Sequence, residues 1–199
     1  MKIKNIIFDF DGVLVKNIEL MFKINQETLK KFTWENFIDG FDGNALDYYS
    51  DVKKNHLDLF YKKWKKVLLN EKIEEGAKIF LEENKEKKLF IISSNSEGIL
   101  NKILENSNLE KTFKKVLGAE THSSKIEKFL ILQSNEENIN LEETIFITDS
   151  LGDLKEASHF PELKTIAVTF GVHNRERLKK GNPNFIIDDW DDIKKINIF

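Results

Sequence analysis

The chain is 199 residues long, 40% hydrophobic and 33% charged, with 31 basic against 34 acidic residues and a net charge of -3. That balance excludes a disordered chain and gives no electrostatic pull toward nucleic acid or an anionic membrane surface. Cysteine is absent, which removes disulfide and thiol chemistry.

Lys4 to Phe8 is rich in Ile and Phe and reads as a strand buried on both faces. Asp9, Asp11 and Gly12 follow at its carboxyl end, the edge of an open α/β sheet at which ligands bind. Period-two alternation puts Asp9 and Asp11 on one side and Phe8 and Phe10 on the other. Two neighbouring acids repel unless a cation or a shared proton lies between them. Asp9 also ends the first apolar run too early for a signal peptide, and no stretch reaches membrane-spanning length, so a cytoplasmic protein is expected.

Ile18, Met21, Phe22 and Leu29 then recur at helical spacing, predicting a helix from 18 to 32. Gly40 and Gly43 mark a break. Leu57, Phe60, Tyr61, Trp64 and Leu68 form one face of another helix, with Lys62, Lys63, Lys65 and Lys66 on its solvated side. No strand signal appears from Val15 to the mid-seventies. Residues 16–74 are therefore expected to be an all-helical insertion in a core made of 1–15 and 75–199.

From Glu75 helix and strand alternate, as in βαβ units. The pattern predicts a helix over 76–86, a strand over 89–92 ending at Ser93-Ser94-Asn95-Ser96, and a helix over 99–104. A short strand over 116–118 and a helix over 125–133 come next, then strands over 144–148 and 165–169. A last strand at 185–187 leads through Asp188 into a terminal helix. The fold expected is a three-layer α/β/α Rossmann-like core with a mainly parallel sheet.

Parallel strands share one carboxyl edge, so Asp9, Asp11, Ser94 and Asp149 are expected to converge there. With Asp153 in the turn beyond, the acids make an oxygen-rich cluster suited to Mg²⁺, an ion that needs few carboxylates and keeps waters and a substrate phosphate as further ligands. Asp153 reads equally as the N-cap of the next helix. Ser94 and Asn95, beside free backbone N–H groups at a helix start, suit an anion, and helix capping is the rival reading of Ser94. Lys125 opens a helix where the dipole does not favour a cation, with Lys128 one turn on as its rival. His56, His122, His159 and His173 have no zinc-like spacing and are assigned surface or capping roles. Phe41, between Gly40 and Gly43, could project onto a substrate, with packing as the favoured reading.

In order, Asp9-Phe10-Asp11-Gly12-Val13-Leu14-Val15, Ser94-Asn95 after a strand, Lys125 in Ser-Lys-Ile-Glu-Lys, and Thr148-Asp149 with Asp153 resemble the four motifs of the haloacid dehalogenase-like hydrolase superfamily. The tail, from Val168-Thr169-Phe170-Gly171 to Asn182-Pro183-Asn184-Phe185-Ile186-Ile187, is similar to the closing unit of its phosphoglycolate phosphatase-like branch. The resemblance implies that the insertion is a helical cap and that the protein is a phosphatase acting on a small phosphorylated metabolite. Asp9 would be the nucleophile, forming an aspartyl-phosphate, and Asp11 the general acid and base, its proton affinity raised by neighbouring anionic charge. Mg²⁺ would be held by Asp9, the Asp11 backbone carbonyl and Asp149, with Asp153 assisting. Ser94, Asn95 and Lys125 would bind the phosphoryl oxygens. Thr148 stands where many members have glycine, and Val13 where threonine is usual.

The alternatives are a phosphomutase or phosphonate hydrolase on the same nucleophile and, from another class, a non-enzymatic Mg²⁺-dependent phospho-acceptor switch. A dinucleotide site is excluded, since no G-x-G-x-x-G follows the first strand. The chain is expected to act as a monomer or homodimer, with neither nucleic acid nor membrane as a partner.

Overall fold

The computed structural model describes residues 2–50, 54–68, 70–134 and 137–196, without the side chains of 47, 49, 50, 54–58, 60 and 61. The helical face expected from Leu57, Phe60 and Tyr61, and the role given to His56, therefore fall outside the described side chains. In chain order come β1 (Asn5–Phe8), α1 (Ile18–Thr28), α2 (Trp34–Asp39), α3 (Ala45–Ser50), α4 (Lys54–Leu68) and α5 (Glu75–Glu83). They are followed by β2 (Lys88–Ile92), α6 (Glu97–Asn106), β3 (Lys115–Leu117), α7 (Lys125–Ser134), β4 (Thr144–Thr148) and α8 (Leu151–Ala157). The chain closes with β5 (Lys164–Val168), α9 (Arg175–Lys179), β6 (Phe185–Ile187) and a 3₁₀ turn at Trp190–Lys195.

The six strands are all parallel, in the order β3-β2-β1-β4-β5-β6. β1 lies between β2 and β4, with Ile6 opposite Leu89 and Ile145, so the expected central, doubly buried strand is found. Its side chains divide by period two. Ile6 and Phe8 join Ile91, Ile145 and Ile147 on one face, beneath Ala77 and Phe80 of α5 and Leu100 and Ile103 of α6. Ile7 joins Phe90, Ile92 and Phe146 on the other face, against Phe129 and Leu132 of α7 and Ala157 of α8. Phe8 meets Phe80 and Phe113 edge-on, with centroids 6.1 and 6.0 Å apart, contacts worth about 1 kcal/mol each beyond the area they bury. The three-layer core is as expected.

The helices between β1 and α5 differ in detail from the sequence pattern. α1 ends at Thr28, and the chain then turns through Lys31 in the left-handed region at φ 61°. α2 was not expected. It is started by a capping box in which Thr33 Oγ1 accepts from Asn36 N at 3.1 Å and Asn36 Oδ1 accepts from Thr33 N at 3.2 Å. Phe37 of α2 is fully buried, with its ring centroid 5.7 Å from Phe22 and 5.2 Å from Phe41. Ile24 of α1 and Trp64 and Leu68 of α4 belong to the same buried cluster as β1, so these two helices share the core of the sheet, while Phe37 packs in a separate cluster with Ile18 and Val172.

Two further bounds move. α5 stops at Glu83, where Asn84 Nδ2 donates to Phe80 O at 2.9 Å and takes up a last-turn carbonyl. The expected terminal helix is instead a 3₁₀ turn, begun by Asp189, which accepts from Asp191 N at 2.7 Å.

Candidate active site

β1 delivers its acid with the ladder still intact, since Asp9 N donates to Ile147 O at 2.9 Å. The chain then doubles back. Leu14 N donates to Phe10 O and Gly12 N to Val15 O, each at 2.9 Å. Gly12 sits at φ 78°, and a Cβ there would overlap the Asp149 carboxylate, so both conformation and space require glycine. Asp11 is fixed by two amides, Asn17 Nδ2 at 2.5 Å from Oδ1 and Asn95 Nδ2 at 3.0 Å from Oδ2. Asn17, which the sequence reading passed over, is buried just ahead of α1.

The carboxyl ends of β2 and β4 and the start of α7 supply the other groups. Lys125 is buried, its Nζ 2.9 Å from Asp9 Oδ1 and 2.5 Å from Asp153 Oδ2. Thr148 Oγ1 donates to the same Asp153 oxygen at 2.5 Å. Glu156 holds the start of α7 in place, its Oε1 accepting from Ser124 Oγ at 2.7 Å and from Lys125 N at 3.1 Å. Asp149 Oδ2 accepts from Val172 N at 2.7 Å. One cavity brings together Asp9, Asp11, Ser94, Lys125, Asp149 and Asp153.

Several expectations are refined by these contacts. Ser150, not Asp153, caps α8, its hydroxyl accepting from Asp153 N at 3.2 Å. Ser94 is not a helix cap, as Ser96 occupies that position at α6, and its hydroxyl has no protein partner among the described residues. Asn95 lines the cavity but turns its amide N–H to Asp11. Ser93 Oγ accepts from Asn95 N at 3.0 Å. Lys128, the rival of Lys125, forms no ion pair with the described acids and donates to Ser93 O at 2.6 Å, holding that loop.

Burial governs the charges. It raises Asp9 well above the ordinary carboxylate range, against the nearby Lys125 ammonium, and raises Asp149 to about 7. Burial would lower Lys125, but the carboxylates of Asp153 and Asp9 outweigh it and hold the ammonium charged. Asp11 is raised as well, by burial first, with the Asn17 and Asn95 amides opposing. The cause expected from the sequence, neighbouring anionic charge, ranks last.

The donor set fits Mg²⁺. Asp9, Asp149 and Asp153 are buried against a single ammonium, a surplus of negative charge that a hard dication offsets. Among the described residues no three acidic or imidazole side chains close into a ready cage.

The far wall of the cavity comes from the helices between β1 and α5, with Phe41 both packed on Phe37 and facing the cavity. The loop carrying Phe41 is docked on α8. Gly152 N donates to Phe41 O at 2.8 Å, and a Cβ at Gly152 would collide with Gly43 O. Lys155 Nζ donates to Asp42 O at 2.7 Å, and Arg177 reaches Asp42 and Asp39. His173 is fully buried here, so its expected surface role fails and its capping role holds. Its Nδ1 accepts from Leu151 N at 2.8 Å and its Nε2 donates to Ile38 O at 2.9 Å, with burial lowering its pKa.

No helix among the described residues is long and apolar enough to cross a membrane. The sequence profile described as haloacid dehalogenase-like hydrolase matches residues 6–168. The pyrophosphatase PpaX of Listeria welshimeri is 26% identical, over 98% of this chain and 96% of its own. Among solved structures, a predicted phosphatase from Clostridium acetobutylicum superposes with a TM-score of 0.81 at 22% identity, covering 98% of both chains. A predicted phosphoglycolate phosphatase from Haemophilus somnus superposes with a TM-score of 0.77 at 20% identity, again covering 98% of both.

Proposed function

The chain belongs to the haloacid dehalogenase-like hydrolases, and from that membership we propose that it is a Mg²⁺-dependent phosphatase hydrolysing a small phosphorylated metabolite through a phosphorylated Asp9. The observation that carries this reading is the buried Lys125 ammonium 2.9 Å from Asp9, in a cavity that also holds Asp11, Ser94 and Asp149. The Lys125 ammonium favours the ionised form of Asp9 against the opposing effect of burial, and from that form one carboxylate oxygen attacks phosphorus as the bond to the ester oxygen breaks. Asp11, held by Asn17 and Asn95, gives its proton to that departing oxygen. A water then attacks phosphorus, Asp11 takes the water's proton, and the bond between phosphorus and Asp9 breaks. Phosphate leaves and both acids return to their starting states.

Ser94, with its free hydroxyl, and Lys125 bind the phosphoryl oxygens, while Asn95 acts mainly by fixing Asp11. Asp153 orients Lys125 through their 2.5 Å contact and would assist in holding the metal. Asp9, Asp149 and the Asp11 carbonyl would hold Mg²⁺, which would supply positive charge offsetting repulsion between the nucleophile and the phosphoryl oxygens. Residues 16–74 serve as a cap over a core of 1–15 and 75–199, excluding bulk water between the two steps.

The test is phosphate release from a panel of metabolite phosphates and an aryl phosphate, with and without Mg²⁺. Asp9→Asn is expected to lose at least about 1,000-fold in kcat while keeping its circular dichroism spectrum. Turnover that persists without metal, or an Asp9→Asn protein as active as its parent, would overturn the mechanism.

A further inference from the structure

The cavity is chemically lopsided. Its core side carries Asp9, Asp11, Asp149, Asp153 and Glu156 against one described cation, Lys125, which Asp9 and Asp153 already engage. Its other wall is apolar, made by Ile18 and Met21 of α1, Phe41, Leu46 of α3 and Trp64 of α4. No Lys, Arg or His among the described residues lines that wall. A substrate's phosphoryl group takes the one described ammonium, so a second anionic group on the leaving side would be buried against hydrocarbon and carboxylates with no cationic partner among the described residues, an arrangement that selects against it.

Two amide side chains, Asn25 and Asn44, interrupt the apolar wall. Asn25 of α1 is buried and donates its amide N–H to Met21 O at 2.9 Å. Its Oδ1 receives no hydrogen bond from any described residue, although Asn25 lines the cavity. Asn44, the other amide there, is closed off, since Nδ2 donates to Ser123 O at 3.0 Å and Oδ1 accepts from Leu46 N at 2.9 Å. Asn25 Oδ1 is therefore an acceptor waiting for a donor in a site that is otherwise greasy.

We propose that the substrate is a phosphomonoester whose leaving alcohol is uncharged and mainly apolar and gives one hydroxyl or N–H hydrogen bond to Asn25 Oδ1. The inference rests on the phosphatase reading above and selects within it. The ester P–O bond breaks, the proton from Asp11 goes to the ester oxygen, and the neutral alcohol leaves against Met21, Phe41 and Trp64 without charge developing on that wall. A carboxylate-bearing ester such as phosphoglycolate, a sugar bisphosphate, or pyrophosphate would place a second anion there.

The experiment compares kcat/KM in Mg²⁺ for benzyl phosphate, 4-(hydroxymethyl)benzyl phosphate, phosphoglycolate, fructose 1,6-bisphosphate and pyrophosphate. The two benzyl esters are expected to exceed the three polyanions by about 100-fold or more, and the hydroxymethyl ester to exceed benzyl phosphate. Asn25→Leu should abolish the difference between the two benzyl esters. Met21→Lys should raise kcat/KM for phosphoglycolate by roughly tenfold by placing an ammonium on the apolar wall. Phosphoglycolate, bisphosphate or pyrophosphate matching the benzyl esters would overturn the inference and leave the phosphatase reading standing. Release of phosphate from none of the five, nor from the wider panel, would overturn both.

Discussion

Arg177 grips Asp42 at two points, Nε to Oδ1 and Nη2 to Oδ2, each at 2.6 Å. The pair joins α9 to the loop that carries Phe41 into the cavity, 135 residues earlier in the chain. Donation from Arg177 holds the Asp42 carboxyl below its usual range, so the pair stays charged at neutral pH.

Arg177→Ala should free that loop from the core at little cost to the fold. The pair is only partly buried, so the stability loss is expected to be about 1 kcal/mol. KM should rise roughly five- to tenfold as the Phe41 wall loosens. Steady-state kinetics beside thermal melts separate the two. A variant with unchanged KM would show that the loop keeps its place without the arginine.

Two glycines give opposite expectations. At Gly152 a Cβ would meet Gly43 O, so Gly152→Ala should push the loop off α8 and lower kcat/KM by about tenfold or more. At Gly98, in the first turn of α6, nothing lies within 4 Å of a Cβ, so Gly98→Ala should leave activity unchanged and stabilise by up to about 1 kcal/mol. Both are read by denaturant titration and by kinetics.

Lys128 gives a pH-dependent signature. Burial lowers it to about 8 from an ordinary 10.5, so between those values the unfolded chain binds more protons than the folded one and stability rises with pH. Below pH 8 both states are protonated and the cost of burying the charge is fully felt. Lys128→Met removes this dependence. Relative to the variant, the parent should therefore gain about 3 kcal/mol between pH 7.5 and 10.5. Equal pH profiles would mean the folded lysine titrates normally. Loss of the 2.6 Å bond to Ser93 O should also lower kcat, since that loop presents Ser94.

Metal removal should show without any substrate. Adding Mg²⁺ to chelator-treated protein should raise the melting temperature in proportion to RT ln(1 + [Mg²⁺]/Kd), because the ion relieves buried carboxylates in the folded state alone. Asp149→Asn should abolish most of that rise and melt higher than its parent in chelator, since it removes a carboxyl that burial already pushes up to about 7. A Mg²⁺-induced rise that survives Asp149→Asn would move the metal elsewhere.

Much of this was legible in the sequence for a simple reason. An acid at the end of an apolar run, as at Asp9 and Asp149, declares the strand, its direction and the edge that carries chemistry. Lys125 was legible because a cation at a helix start is electrostatically out of place. What escaped depends on neighbours distant in the chain. Asn17 looks like an ordinary polar residue before a helix until Asp11 folds back onto it, and Arg177 looks like a solvated helix residue until Asp39 and Asp42 arrive. His173 carries no local sign of burial, since its partners are the backbone atoms of Ile38 and Leu151. α2 had a readable start at Thr33 and Asn36, but its six residues are too few for helical periodicity to register.

The Asp9 amide, hydrogen-bonded to Ile147 between two central strands, has a consequence for how the enzyme breathes. Its proton can exchange with solvent only when the middle of the sheet opens, so its protection should approach that of global unfolding. Amides around Phe41 and Asp42 depend on a docked loop and should exchange through smaller openings. Asp9, the proposed nucleophile, should thus sit on a slowly exchanging part of the chain. The wall that admits the substrate is carried on a faster one, and it can open and close many times while Asp9 stays where the strand puts it.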